Sequence, residues 1–273
     1  MRDVSVLTIA RGREAHLHNV IRGLAAQTVR PRELVIAAMQ DDPYDGLPDA
    51  PFPIHQIQVT RPDGELPLAA ARNAVAAKAS GAVLAFVDVD CIPHPALVAD
   101  VAEACHDGRG LVMGEVAYLP KGATEGGLDF AHFDKIGVKH SDRQGPPVEG
   151  LRYCEDYRCF WSLNFAMHRA DWARSGGFDE GYFGYGGEDT DFGRVLDARG
   201  IDIWWMKGAK VYHQYHDHCM PPIHHVEAVV RNAEYFATRW GHRTMGHWLH
   251  AFHLMGLIDN SDDALTILRA PDD

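Results

Sequence analysis

Two acidic clusters and a run of histidines carry most of the chemistry legible in this sequence. Asp88-Val-Asp90 sets two carboxylates one residue apart. Such a pair suits a hard divalent cation that bridges to phosphate oxygens, one acid on the metal and the other reaching a ribose or a metal-bound water. The second cluster closes the stretch Gly181-Tyr-Phe-Gly-Tyr-Gly-Gly-Glu-Asp-Thr-Asp-Phe-Gly193. Its glycines allow sharp turns and close approach of the backbone to a ligand. They deliver Glu188 and Asp189 to what reads as a helix start, where unpaired N–H groups favour the ionised form. An ionised carboxylate there is a candidate general base for a hydroxyl. The third set is Val211-Tyr-His-Gln-Tyr-His-Asp-His218. An imidazole beside a carboxylate fits Mn²⁺ better than Mg²⁺, with His213 first at a strand end and His216 in reserve. His218, His224 and His225 are expected to be surface groups.

Other residues fit around these. Arg11 and Arg13 follow the first strand and can reach a nucleotide or diphosphate, and Arg72 offers the same reach. Trp161, Asn164 and Tyr185, with Gly186 and Gly187, make a wall for a sugar. Each has a plainer reading. Asp88-Val-Asp90 is also a solvated turn, Glu188-Asp189 an ordinary acidic helix start, the arginines loop charges, and Trp161 a core side chain. His242, His247, His250 and His253 alternate with Trp248, Leu249 and Phe252, which points to a helix packed on the domain or on a second subunit.

The elements that must position these groups follow from periodicity. Val4–Ile9 reads as a buried strand, and Leu17, Val20, Ile21 and Leu24 mark a helix from Glu14. Strands are expected at 33–37, 53–59 and 82–87, with an alanine-rich helix at 69–79 between the last two. This alternation predicts a doubly wound α/β sheet, with ligands gathered beyond the carboxyl ends of its strands. Asp88 and Asp90 then sit on that rim. A helix at 93–106, a strand at 110–118, a loop-rich region from Pro120 to about Gly150, a strand at 160–168 and a helix from Asp191 to Arg199 complete the domain. Two helices follow, from Val226 to Trp240 and from Met245 to Leu257.

Composition bounds the partners. A net charge of −12 over 273 residues argues against duplex nucleic acid. No apolar run reaches the roughly 18 residues a membrane span needs, and the opening residues lead straight into a strand, so no signal peptide is expected. Five scattered cysteines without CxxC spacing fit a reducing, cytoplasmic setting.

Ala10-Arg-Gly-Arg-Glu-Ala-His-Leu17, Val87-Asp-Val-Asp-Cys-Ile-Pro93 and Tyr185-Gly-Gly-Glu-Asp-Thr-Asp191, in that order and with Gly176-Gly-Phe-Asp-Glu180 before the last, resemble the β-1,4-galactosyltransferases and the galactosyl/N-acetylgalactosaminyl modules of bacterial chondroitin polymerases. The resemblance spans about residues 4 to 218. It implies a GT-A fold over 1–220 with a helical extension at 221–273. It implies Mn²⁺ (or Mg²⁺) on Asp90 and on His213 or His216, Asp88 beside the ribose, and Arg11 and Arg13 on the diphosphate. Asp189 would be the base and Glu188 a sugar-binding partner. Tyr185 stands where those enzymes have a tryptophan, and Thr190 replaces an acid.

The expectation is thus a metal-dependent, inverting transfer of a galactose- or N-acetylhexosamine-type hexose from a UDP-sugar to a saccharide or glycoconjugate hydroxyl, in polysaccharide biosynthesis. Peripheral attachment at a membrane through a lipid-linked acceptor, and a homodimer, are further partner expectations. The rivals are a retaining enzyme of the same fold, a nucleotidyltransferase, which would want a more glycine-rich loop than Ala10-Arg-Gly-Arg13, and a non-catalytic glycan-binding module.

Overall fold

The computed structural model describes residues 3–141, 143–217, 219–260 and 264–269. In chain order the elements are β1 (Val4–Ala10), α1 (Glu14–Ala25), β2 (Glu33–Ala38), β3 (Ile54–Gln58), α2 (Leu68–Lys78), β4 (Val83–Val87), β5 (Cys91–Pro93) and α3 (Leu97–Ala104). Then come β6 (Leu111–Met113), β7 (Val116–Tyr118), α4 (Phe130–Ile136), β8 (Leu151–Tyr153), β9 (Asn164–His168), α5 (Arg169–Ser175) and α6 (Glu188–Ala198). The chain ends with β10 (Ile203–Met206), β11 (Val211–His213), α7 (Val226–Trp240), α8 (Gly246–Leu254), β12 (Ile258–Asn260) and β13 (Leu265–Ile267).

The central sheet runs β3-β2-β1-β4-β9-β6-β10-β8. Its first half is parallel, β1 pairing with both β2 and β4. All seven residues of β1 and all five of β4 are buried, as strands covered on both faces require. Alternate side chains feed two apolar layers. Val4 and Val6 meet α1 and α3 on one face, and Leu7 and Ile9 meet α2 and α6 on the other. In α1 the buried positions are Leu17, Val20, Ile21 and Leu24, the face its spacing predicts.

The second half departs from a simple doubly wound pattern. β9 is antiparallel to β4 and β6, and β8 is antiparallel to β10. The strand expected at 110–118 is two strands in two sheets, because β6 joins the main sheet while β7 joins a small sheet ordered β5-β11-β7. Gly114 stands at the break, where an added Cβ would fall on the Ala209 carbonyl and the Asn164 amide. The helix expected at 93–106 begins later, at Leu97, since Cys91–Pro93 is committed to β11. The loop-rich region after Pro120 contains α4, capped by the Asp129 side chain. The tail is helical as expected but ends in an antiparallel hairpin, β12 with β13, which no periodicity announced. Among the described residues no helix is long and apolar enough to cross a membrane.

Candidate active site

Asp88 and Asp90 lie just beyond β4, on the rim predicted for them. Asp90 is buried at 5% exposure. The small sheet explains how the distant histidines reach it. β11 pairs antiparallel with β5, placing His213 opposite Cys91, and the Gln214 N–H donates to the Asp90 carbonyl at 2.7 Å. Gln214 is in turn held by α1, accepting from Asn19 at 2.8 Å and donating to the His16 carbonyl at 3.2 Å.

The result is a compact ligand set. His213 Nε2 is 3.5 Å from Asp90 Oδ1 and His216 Nε2 is 3.3 Å from Oδ2. One ligand atom from each of the three residues lies within 4.8 Å of the other two. Arg13 Nη1 donates to Asp90 Oδ2 at 2.5 Å. Arg13 reaches inward from a left-handed backbone conformation, φ 49°, at the start of α1. The imidazoles and Arg13 hold Asp90 far below the usual carboxylate range despite its burial, whereas burial and the charge of Asp90 push Asp88 up. Burial lowers His213, which favours the neutral, ligating imidazole, while the hydrogen bond to Asp90 raises His216. Both histidines singled out in the sequence therefore converge on Asp90. His218 lies outside the described residues.

The second cluster is built by α6 and by the tail. Glu188, Asp189 and Asp191 occupy the first turn of α6, and Gly187 precedes it with φ 94°, a conformation that excludes most side chains. The helix is fixed from below by an aromatic layer. Phe192 stacks on Phe178 at 4.2 Å, and Phe86 on Phe165 at 4.4 Å. Burying Phe192 alone is worth about 1.5–3 kcal/mol. From above, the α7 residue Asn232 donates its amide to the carbonyls of Phe183 (3.0 Å), Tyr185 (3.3 Å) and Gly186 (2.7 Å). Tyr185 stacks on His225 at 4.5 Å and on Trp248 at 5.7 Å.

The three carboxylates of the first turn part company. Asp191 is buried at 1% and bound by Trp240 Nε1 (2.7 Å) and Tyr182 Oη (3.2 Å), so it ties α7 to α6. Glu188 is buried and paired with Arg72 at 2.9 Å. Asp189 is half-buried, accepts the Thr190 N–H at 2.7 Å and is pushed up to about 7 by burial and by the charge of Glu188. Arg72 opposes that rise, and it also lowers Asp88. Tyr185 feels the charges of Asp189, Glu188, Asp88 and Asp90 together. The two acidic clusters, about a hundred residues apart in sequence, thus share one electrostatic neighbourhood.

Some expected site residues are committed elsewhere. Asn164 is buried and gives its amide to the Ala209 carbonyl at 2.5 Å, so it braces the chain between β10 and β11 instead of facing a sugar. Arg11 donates to the Gly64 carbonyl at 2.7 Å. Arg72, expected at a nucleotide, spends a nitrogen on Glu188. The close approach permitted by Gly186 is to Met245, not to open space, since an added Cβ would meet its sulfur at 2.7 Å. Trp161 is half-buried, with the His140 ring edge-on at 5.2 Å.

One part of the site had no motif to announce it. An open cleft of about 450 Å³ lies beyond β1 and β2, lined by Gly12, Arg13, Glu14, Gln40, Pro43, Tyr44 and Asp45. Tyr44 donates to the Gly12 carbonyl at 2.7 Å, and the Gly12 N–H donates to Gln40 at 2.9 Å. Its only signal in the sequence is the turn-rich Asp41-Asp-Pro-Tyr-Asp-Gly46 at a strand's carboxyl end.

Comparison with known proteins agrees with this architecture. A sequence profile described as glycosyl transferase family 2 matches residues 5–152. A second, described as the N-terminal domain of galactosyltransferase, matches residues 148–217. Two validoxylamine A glucosyltransferases, from Streptomyces hygroscopicus subsp. limoneus and subsp. jinggangensis, are each 28% identical over 230 residues, 73% of this chain. The chain spans about half the length of these curated relatives, 49% and 52%. Among solved structures, GalNAc-T7 with UDP, GalNAc and Mn²⁺ superposes with a TM-score of 0.56 at 17% identity, over 86% of this chain and 50% of that one. S. aureus TarS residues 1–349 superposes with a TM-score of 0.54 at 16% identity, over 90% and 68%. Both likenesses establish the GT-A fold.

Proposed function

The chain belongs to glycosyl transferase family 2, and from that premise we propose that it is a metal-dependent, inverting hexosyltransferase using a UDP-sugar. The observation that carries the reading is the convergence of Asp90, His213 and His216 on one point, beside the neighbourhood that holds Asp189. A carboxylate with two imidazoles is a donor set that suits Mn²⁺, and the lowered His213 supplies a free lone pair. These three residues would hold the ion. When bound, it supplies positive charge to the departing diphosphate.

The chain's own groups do the rest. Arg13, now on Asp90, has the length to turn to a diphosphate and bind it. Asp88 stands beside Asp90 for the ribose, and the cleft at Gly12, Gln40 and Tyr44 takes the base. Asp189 accepts the proton of the acceptor hydroxyl as that oxygen attacks the anomeric carbon. Glu188, fixed by Arg72, raises the basicity of Asp189 and offers its second oxygen to a sugar hydroxyl. One carboxylate base and a single displacement give inversion. Tyr185, braced by Trp248, forms the wall against which the sugar lies. Galactose, N-acetylhexosamine and glucose are the donor hexoses to compare, glucose because the curated relatives are named glucosyltransferases.

The test is release of UDP from a panel of UDP-hexoses in the presence of Mn²⁺, with the anomeric configuration of any product read by NMR. Chelation, or His213→Ala, should cut release by at least about 100-fold. Release that is indifferent to both would remove the metal from the account. A retained configuration would remove the single displacement.

A further inference from the structure

We infer that Arg143 forms a binding subsite for an anionic group, a carboxylate or a phosphate, on the acceptor sugar. The inference rests on the transferase reading for the word acceptor, but not for the anion.

Among the described residues Arg143 is a cation without an anion. Its guanidinium lies over Trp161 at 5.6 Å and over Trp205 at 5.1 Å. Its Nε and one Nη are buried with no hydrogen-bond partner. Among the described residues no carboxylate pairs with it. A guanidinium removed from water and left with two unmet donors costs several kcal/mol, and stacking on two indoles returns only part of that. A fixed fork of N–H groups set between two indoles is matched by a carboxylate or phosphate.

Among the described lining residues, Lys139 adds a second positive charge. Arg143 opens on a cavity of about 20 Å³ also lined by Lys139 and His140. That volume admits one ligand oxygen, the remainder of the ligand standing in the mouth. Glu115, a carboxylate on the same wall, is already neutralised by Lys207 at 3.0 Å and by the Gly208 N–H at 2.8 Å. In a chain of net charge −12, this is a local reversal of sign.

Position connects the slot to the proposed metal site. His213 stacks on Tyr118 at 4.7 Å, Tyr118 meets His140 at 5.5 Å, and His140 meets Trp161 at 5.2 Å. An aromatic wall therefore runs from the metal ligands to Arg143. A sugar ring lying along that wall can place an anionic substituent on the guanidinium.

The experiment is thermal unfolding of the full chain in chelator, without donor, so that its outcome is independent of the metal and base assignments. The probes are inorganic phosphate, glucose 6-phosphate and glucuronate, against glucose and against chloride at equal ionic strength. The wild type should gain a few degrees, by mass action, with at least one anion and none with glucose. A shift with glucose 6-phosphate or with glucuronate alone tells which anion the slot takes. Arg143→Met should lose the shift, and Arg143→Lys, kept as the milder variant should the first not fold, should reduce it at least tenfold in apparent affinity. No anion-specific shift in the wild type, or an undiminished shift in the folded variants, overturns the assignment.

Discussion

The role proposed for Asp189 rests on its surroundings more than on its type. A carboxylate pushed up to about 7 by burial and by Glu188 is half ionised near neutrality, where a general base is most effective. The proposed base works only when deprotonated, so kcat/KM for transfer should rise with pH through about 7 and level off above it; an initial-rate profile checks this. The same shift has a stability consequence of fixed sign. A carboxylate whose folded pKa lies above its unfolded value stabilises the fold only at low pH, and that contribution is lost as pH rises through about 7. Asp189→Asn should therefore raise stability at pH 8, by about 1–2 kcal/mol in urea unfolding. Burial raises Asp191 as well, two residues on, but its place differs. Its partners Trp240 and Tyr182 make it a structural acid, and nothing in the pattern Glu-Asp-Thr-Asp separates the two. Only the tail, which brings Trp240 to Asp191, does so.

At the scale of elements, the strands and helices of the first ninety residues are legible from the short apolar runs of β1, β2 and β4, from the spacing of Leu17, Val20, Ile21 and Leu24 in α1, and from the alanine-rich run of α2. The rim position of Asp88 and Asp90 follows directly. What is not legible is set by contacts distant in sequence. β9 runs antiparallel between two strands that precede it. The segment at 110–118 divides at Gly114 because the Ala209 carbonyl passes there. The commitment of Asn164 to that same carbonyl is equally hidden. The histidines were readable as candidates, but their arrival at Asp90 depends on β5 and β11 pairing across more than a hundred residues. Arg143 stood in a stretch with no motif. The tail helix α7 makes a prediction of its own. Asn232 holds three carbonyls of the loop that leads into Glu188 and Asp189, so Asn232→Ala leaves buried acceptors unmet. It should cost about 1–3 kcal/mol in unfolding free energy and lower kcat more than it weakens donor binding, by loosening that loop.

At the scale of the whole molecule, the layers divide the labour. The parallel half of the sheet presents the open cleft at Gly12, Gln40 and Tyr44, proposed for the nucleotide, and Asp88-Val-Asp90. The small sheet ordered β5-β11-β7 imports the histidines. The tail fixes the acidic loop from above, with Tyr185 packed into the tail's own apolar cluster. A site assembled from three parts should be tightened by what binds across them. UDP with Mn²⁺ should raise the melting temperature by several degrees, and UDP in chelator should do so far less; differential scanning fluorimetry reads both. The central claim joins the two acidic clusters into one machine, with binding on one side and proton transfer on the other. Its most direct test is Asp189→Asn, with UDP-sugar affinity and transfer rate measured on the same preparation. The account predicts donor affinity within a few-fold of wild type and transfer slowed by on the order of a thousandfold. Transfer within a few-fold of wild type would contradict it.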